Sequence, residues 1–369
     1  MEIVKTDAAG LEAAARVLLG GGVAVIPTDT VYGLAAHPSF LEAVSRLASI
    51  KRRDAAKPIA LLAGDAEGAA KFLGGLDAQA ERLAARHWPG ALTLVLPVRS
   101  GSADGEATRF EGLRVPDHEW TRGLLRACGG ALRVTSANLS GSMAATDAAS
   151  ALASVGLSAD IVADGGVSPG GAASTVAKVC GGRIFVLREG PVEFMTLASA
   201  SPRRAKILEG LGVDFTVEKS DAAEVAYPED PERTVRENAL AKGAALLARG
   251  RRRVLSADTI VWLDGKIYGK PRDTEEAAAF LRELSGRVHT VFTGVAYDGK
   301  TKVARSGVRF RRLSDADIAA YVELVSPTDR AGAYDIDERG EMVVESYEGE
   351  YENIMGLPVG PLREWGIVG

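Results

Sequence analysis

The stretch LASASPRRAKILEGLG, residues 197–212, decides how the second half of this chain is read. Its apolar start predicts a short strand. Ser199, Ser201 and Pro202 then suit a helix N-cap and first position, with Arg203 and Arg204 in the first turn. Ile207, Leu208 and Leu211 form one buried stripe, and Gly212 supplies a left-handed stop. Two arginines are poorly placed at a helix N-terminus, where the dipole already presents positive potential. They point to a bound polyanion, on which backbone N–H groups and guanidinium groups would converge. The structural alternative is a surface pair reaching to carboxylates.

Downstream, the punctuation is clear. Asp230-Pro231 predicts an N-cap with Pro at the first helical position, and Asp273 with Glu276 has the spacing of a capping box. Asp264-Gly265 and Asp298-Gly299 each sit between alternating runs and predict tight hairpins. Glu224, Glu237-Asn238, Lys242, Lys270 and Asp258 are the acidic, amide and basic partners of the two arginines. Asp258 stands inside the apolar run VLSADTIVWL, where a carboxylate is costly unless it meets a cation, a metal or a ligand.

Upstream, β-branched runs alternate with Ala/Leu-rich helical stretches. Leu11–Leu19 predicts a helix ended by Gly20-Gly21-Gly22, Val23–Ile26 a buried strand, and Leu41–Ile50 a helix leading into Lys51-Arg52-Arg53. Strand-like runs recur at Ile59–Leu62, Leu92–Leu96, Leu132–Val134 and Ile184–Leu187, and residues 101–112 read as a mobile loop. The fold class is α/β with mixed α+β sheets, in two domains, 1–190 and 195–369.

Composition narrows the class. Lys+Arg and Asp+Glu are 19 and 19 in residues 1–190 and 25 and 30 in residues 191–369, so neither half is basic enough for charge alone to indicate a nucleic-acid binder. No apolar run approaches a membrane span and no secretory signal opens the chain. Two cysteines, Cys128 and Cys180, read as small buried hydrophobes, and their number argues against a disulfide scaffold. The expectation is a cytoplasmic enzyme without membrane partners.

Four first-half segments carry chemistry: PTDTVYGLAAHP (27–38), SIKRRDAAKP (49–58), WPGALTLVLPV (88–98), and GLRVPD (112–117) followed by RVTSANLSG (133–141). In this order they resemble the YrdC-type threonylcarbamoyl-AMP synthase family, whose hallmark is a Lys-x-Arg element with a distant Ser-x-Asn. Here those are Lys51 with Arg53, and Ser136 with Asn138; the match runs on through Ser174-Thr175-Val176 and Arg188-Glu189-Gly190. The resemblance implies a twisted-sheet domain forming threonylcarbamoyl-AMP and pyrophosphate from L-threonine, bicarbonate and ATP. That product feeds tRNA threonylcarbamoyladenosine through a downstream transferase complex. By resemblance Lys51 and Arg53 are catalytic, and Arg53, Lys57, Thr93, Ser136, Asn138 and Arg188 contact ATP. Thr30, Arg114 and Ser174 contact threonine. A histidine that some members carry after the basic cluster is absent, the run being Ile59-Ala60-Leu61-Leu62.

The second-half segments, with SGRVHTVFTGV (285–295), AGAYDI (331–336) and NIMGLPVG (353–360), resemble the Maf family of nucleoside triphosphate pyrophosphatases. This implies a two-lobed domain around a central cleft, hydrolysing a triphosphate, dTTP or UTP, to the monophosphate and pyrophosphate. Asp258 would accept the proton of the attacking water. Ser199, Arg203, Arg204, Lys242 and Lys270 would hold phosphates, while Arg203, Thr259 and Asp337 would set the base. Asp337 stands where the pyrimidine-directed members usually carry Gln, and a carboxylate lacks the amide's donors. Glu224 and Asp258 would ligate a divalent cation, and magnesium is expected in both halves. A homodimer is compatible with this reading. Two alternatives stay open: a tRNA-binding or regulatory protein, resting on the basic runs Lys51–Arg53 and Arg249–Arg253 with only the pyrophosphatase active, or a pyrophosphatase acting on modified or other nucleotides.

Overall fold

The structure, a computed structural model, describes residues 1–54, 57–98, 109–155 and 158–369; most of the 101–112 loop lies outside the described residues. The chain divides into two compact units, Met1–Glu193 and Phe194–Gly369. No described helix is long and apolar enough to cross a membrane.

The first unit is built on one sheet. Its strands are β1 (Glu2–Lys5), β2 (Val23–Ile26), β3 (Gly33–Ala36), β4 (Leu61–Ala63), β5 (Leu92–Pro97), β6 (Phe110–Arg114), β7 (Ala131–Ser136), β8 (Ile161–Asp164), β9 (Thr175–Cys180) and β10 (Arg183–Arg188), in the order β1-β8-β2-β3-β7-β4-β6-β5-β9-β10. Parallel and antiparallel pairings mix. The unbroken apolar run of β2 follows from burial on both faces. Val23 and Val25 join a core with Leu34, Leu47 and Ala151, whereas Ala24 and Ile26 join another with Leu18, Leu124 and Leu132. Helices Leu41–Ile50 and Ala148–Ser154 cover the first face, and Ala8–Leu19 and Glu119–Ala127 the second. The strand expected from Ile59 starts at Leu61, and Ile59 and Ala60 instead line a cavity. Cys128 is buried as expected, and burial pushes its thiol up to about 11. Cys180 is exposed, because β9 ends there in the Gly181-Gly182 turn to β10.

The second unit carries β11 (Met195–Leu197), β12 (Phe215–Val217), β13 (Val254–Leu263), β14 (Lys266–Tyr268), β15 (Val288–Tyr297), β16 (Lys300–Phe310) and β17 (Val344–Glu348) in a sheet ordered β12-β11-β13-β15-β16-β17, with β14 on β13. Positive φ at both Asp264 and Gly265, and at both Asp298 and Gly299, gives the β13–β14 and β15–β16 hairpins mirror-image turns that match strand twist. Asp230 caps its helix through the N–H of Arg233, and Asp273 caps the next through that of Glu276. Glu276 reaches back to the N–H of Arg272 rather than Asp273, so that box is displaced by one residue.

Two hydrophobic cores share the long strands β13 and β15. Leu255, Ala257 and Val295 pack with Leu197, Leu208 and Leu357, while Val261, Leu263 and Val291 pack with Leu281, Phe310 and Tyr321. Between them lies a polar waist containing Asp258, Thr259 and Thr293, all at most partly exposed. Asp258 pairs across the ladder with Gly294. A Cβ on Gly294 would lie 2.2 Å from the carbonyl oxygen of Val235, so only glycine lets the Pro231–Leu247 helix come this close to Asp258.

Replacing Gly294 with Ala is expected to destabilise the second unit by roughly 2–3 kcal/mol through this backbone overlap. Urea unfolding followed by amide exchange of the 254–263 strand measures it, and an unshifted midpoint contradicts the packing.

Candidate active sites

In the first unit, the strand ends converge. Thr30 follows β2, Arg114 ends β6, Ser136 ends β7, Ser174 precedes β9, and Arg188 ends β10, while Thr93 lies within β5. Lys51 caps the Leu41–Ile50 helix, and Arg52 at φ 49° turns the chain so that Lys51 and Arg53 both face inward. All ten first-half residues singled out in the sequence (Thr30, Lys51, Arg53, Lys57, Thr93, Arg114, Ser136, Asn138, Ser174 and Arg188) line one cavity of about 570 Å³.

The two halves of the Lys-x-Arg and Ser-x-Asn pattern touch directly. Lys51 Nζ donates to the carbonyls of Ser136 (2.5 Å) and Asn138 (2.6 Å) and to Asn138 Oδ1 (3.0 Å), with Ser136 Oγ at 3.2 Å. Burial, then the neighbouring Arg53, drives its ammonium down to about 8. Arg188 donates to the carbonyl of Ser174 from Nε (3.0 Å) and Nη2 (2.7 Å), and Ser174 Oγ lies 2.8 Å from Thr93 Oγ1. Arg53 donates to the Pro58 carbonyl, and its Nε is buried without a partner. Arg114 is different. It is only 5% exposed, pairs with Asp29 (2.5 Å), and donates to Thr30 Oγ1 and to the Gly90 carbonyl. Asp29 was visible in the PTDT segment, yet its tie to Arg114 needs the two strand ends to meet.

No carboxylate is among the residues lining this cavity, and no cluster of three His, Cys, Asp or Glu able to hold a metal occurs among the described residues. The magnesium expected in both halves therefore has no anionic protein ligand among the described residues that line the first cavity.

In the second unit, Ser199, Arg203, Arg204, Glu224, Lys242, Thr259 and Lys270 line a cavity of about 340 Å³ at the waist. Lys242 Nζ lies 2.6 Å from Asp258 Oδ1 and 2.7 Å from Glu224 Oε1. Asn238, one helical turn before Lys242, donates to Asp258 Oδ2 at 3.0 Å. Asp258 itself is 5% exposed and is not on the cavity wall; Lys242 stands in front of it. Glu224 and Asp258, both within reach of one ammonium, form a donor set of hard oxygens that suits a divalent cation completed by water and phosphate.

Arg204 is a strut. Its Nε donates to the Gly356 carbonyl (2.7 Å), Nη1 to Ser199 Oγ (3.0 Å) and the Ala257 carbonyl (2.9 Å), and Nη2 to Thr259 Oγ1 (3.0 Å). Desolvation lowers its guanidinium to about 10. Gly356, at φ 107°, leaves room for it: a Cβ there would press on Thr259 and Arg204. With four N–H groups committed, Arg204 ties β13 to the loops on either side and has little left for a phosphate. Lys270 is exposed on the cavity rim.

The structure does not bring Asp337 to the cavity wall. Its carboxylate pairs with Lys206 (2.5 Å). Asp335, two residues earlier and 6% exposed, takes the wall position and accepts from Arg203 Nη1 (3.3 Å), Arg330 Nε (2.9 Å) and the N–H of Asp337 (2.8 Å). Burial would raise its carboxyl, but those donors more than offset it and hold it low. Sequence reading missed Asp335 and Arg330, although DRAGAYDID shows both. Arg249 pairs with Glu218 and Asp221, and Arg251 with Glu218, so carboxylates already accompany that basic run.

The Maf-like protein family profile matches residues 194–365, and the Sua5/YciO/YrdC profile, described as telomere recombination, matches residues 16–190. A dTTP/UTP pyrophosphatase of Thermotoga maritima is 44% identical over 176 residues, covering 46% of this chain and 86% of that protein. One of Moorella thermoacetica is 44% identical over 179 residues, covering 46% and 92%. Among solved structures, a doubly substituted variant of P. abyssi Sua5 superposes with a TM-score of 0.50 at 24% identity, covering 68% of this chain and 78% of that one, a likeness of fold.

Arg204→Met is expected to cost roughly 2–4 kcal/mol, because it leaves buried acceptors unpaired, whereas Lys270→Met on the rim should cost under about 0.5 kcal/mol. Thermal unfolding of the two variants checks this; equal losses would remove the distinction between strut and free cation.

Proposed function

Because the chain belongs to the Maf-like family through its second unit and carries a Sua5/YciO/YrdC domain in its first, we propose that it is an enzyme with two separate nucleotide-cleaving activities. The first forms threonylcarbamoyl-AMP and pyrophosphate from L-threonine, bicarbonate and ATP; the second hydrolyses a pyrimidine nucleoside triphosphate to the monophosphate and pyrophosphate. The observation that carries this assignment is a contrast in acids. Among the described residues the first cavity is lined by Lys51, Arg53, Lys57, Arg114 and Arg188 with no carboxylate, while in the second the cations face Glu224 and Asp258. A site without a carboxylate base suits transfer to a nucleophile that is already anionic. A buried carboxylate beside cations suits activation of water.

In the first activity, threonine's amine and bicarbonate combine to a carbamate with loss of water. A carbamate oxygen attacks the α-phosphorus, the P–O bond to the β-phosphate breaks, and pyrophosphate leaves. Lys51, Arg53, Lys57 and Arg188 supply fixed positive charge where negative charge accumulates. Thr93, Ser136 and Asn138 orient the nucleotide, and Thr30, Arg114 and Ser174 take the amino acid. Arg114 binds a substrate carboxylate while Asp29 holds its guanidinium in place. A cation bound to the incoming ATP is part of that substrate.

In the second, Asp258 takes a proton from water attacking the α-phosphorus. Ser199, Lys242 and Lys270 hold phosphate oxygens, and Arg204 fixes the floor beneath them. A divalent cation held by Glu224 and Asp258 would supply charge stabilisation at the phosphates. The preference for dTTP and UTP rests on the names of the relatives. With Asp337 turned to Lys206, base selection falls to Arg203 and the Asp335 beside it. Paired carboxylates at Arg249 and Arg251 weaken the case for a tRNA surface there.

A pyrophosphate-release panel over the common triphosphates, with and without threonine and bicarbonate, tests both halves. Lys51→Ala should abolish the threonine-dependent reaction and spare hydrolysis; Asp258→Asn should do the reverse, each loss being about 10²-fold or more. Release that ignores both substitutions overturns the assignment, and hydrolysis confined to other bases overturns the pyrimidine preference.

The Lys51 ammonium sets a pH limit. Its folded value of about 8 lies below the ordinary 10.5, so burying the charge is a cost to folding that is present at neutral pH and fades as pH climbs from 8 to 10.5. The cation itself is lost around pH 8 in the folded protein. The threonine-dependent rate should therefore fall along an alkaline limb centred near pH 8, and Lys51→Arg should move that limb upward. A flat profile to pH 10 in both proteins would contradict the role.

A further inference from the structure

Three features of the second unit bear on one another. The ammonium of Lys242 bridges Glu224 and Asp258 at 2.7 and 2.6 Å. Asp258 has no free oxygen in this arrangement, since Lys242 takes Oδ1 and Asn238 takes Oδ2. Lys242 lines the cavity, whereas Asp258 lies behind it. The lysine thus stands between this proton acceptor and the cavity.

The chemistry of the side chains makes such a move feasible. Lys242 carries a compact charge on a flexible four-carbon stem, and its side chain is 15% exposed, open to the cavity rather than enclosed. Asn238 sits one turn earlier on the same helix and grips the other oxygen of Asp258. The carboxylate therefore keeps its orientation when the lysine leaves. Glu224 lies in the irregular 218–230 segment, with its side chain 61% exposed, and holds the ammonium from the solvent side. Two carboxylates this close repel unless a cation lies between them, so the position must be filled at every stage.

We propose that Lys242 is a displaceable internal cation, occupying the position between Glu224 and Asp258 in the nucleotide-free protein and yielding it when a divalent cation and triphosphate arrive. This rests on the reading of Glu224 and Asp258 as the metal-holding pair. On displacement, the ammonium turns from two carboxylates to phosphate oxygens in the same cavity, uncovering Asp258 Oδ1. A cation faces the carboxylates throughout: one ammonium offsets half of their charge before binding, and afterwards the divalent cation would offset the pair while the lysine turns to the phosphates. The arrangement protects against idle metal binding, because metal without nucleotide must displace a lysine that has no phosphate to move to.

The test is binding of Mn²⁺ to the full chain without nucleotide, read from the electron paramagnetic resonance signal of the free ion. Lys242→Met keeps the stem and removes the charge, so it should bind Mn²⁺ at least about ten-fold more tightly than the unmodified protein. Adding a non-hydrolysable pyrimidine triphosphate should tighten Mn²⁺ binding strongly in the unmodified protein and much less in the variant. Unchanged or weaker Mn²⁺ binding by Lys242→Met, in protein whose thermal unfolding is intact, overturns the displacement. The underlying reading fails separately. If Lys242→Met combined with Asp258→Asn or with Glu224→Gln binds Mn²⁺ as tightly as Lys242→Met alone, the metal is held elsewhere. Lys242→Arg, which restores a charge, should return affinity toward that of the unmodified protein; retention of the tight binding would also overturn the proposal.

Discussion

Like charges gathered in a partly desolvated cavity repel, and that cost shapes both units. In the first, Lys51, Arg53, Arg114 and Arg188 approach one another, and Asp29 pairs with Arg114. The strain is visible in Lys51, driven to about 8 by burial and by Arg53. Arg188 is lowered too, first by burial and then by Arg114 and Arg53. A fold retains such repulsion when an anionic ligand relieves it. The carbonyls of Ser136, Asn138 and Ser174 hold the cations in place meanwhile. These neutral acceptors fix geometry without cancelling charge.

The second unit meets the same constraint with carboxylates. Arg203 leans on Asp335, Lys242 on Glu224 and Asp258, and Arg204 on neutral acceptors alone. Internal pairing lowers the cost of the unliganded cavity but occupies the groups that chemistry needs. The waist between two cores suits such a site, because β13 and β15 anchor it rigidly from both sides. Gly294 gives the helix with Asn238 and Lys242 its approach to Asp258.

Much of this was legible in the sequence where local chemistry decides it. The apolar β2, the Asp-Gly hairpins and the Asp230-Pro231 helix start need only their neighbours. The first-half candidates were also legible as a set, although Lys51 and Asn138 lie 87 residues apart, because the paired motifs carry the information that the sheet later realises. What could not be read depends on tertiary pairing. Arg203 and Arg204 are adjacent and alike in sequence, yet one pairs with Asp335 and the other is spent as a strut on neutral acceptors. Asp335 and Asp337 share one short segment, but the chain's turn sends one to Arg203 and the other to Lys206. That no acid lines the first cavity among the described residues is likewise visible only once the strand ends meet.

The central claim is that one chain holds two independent cation-lined cavities, each for a triphosphate. Calorimetric titration of the full chain with α,β-methylene triphosphates, which resist cleavage at the linkage in question, measures it most directly. The account predicts two sites per chain, one for the adenine analogue that is lost in Lys51→Ala and one for the pyrimidine analogue that survives it. A single shared site, or none, would contradict it.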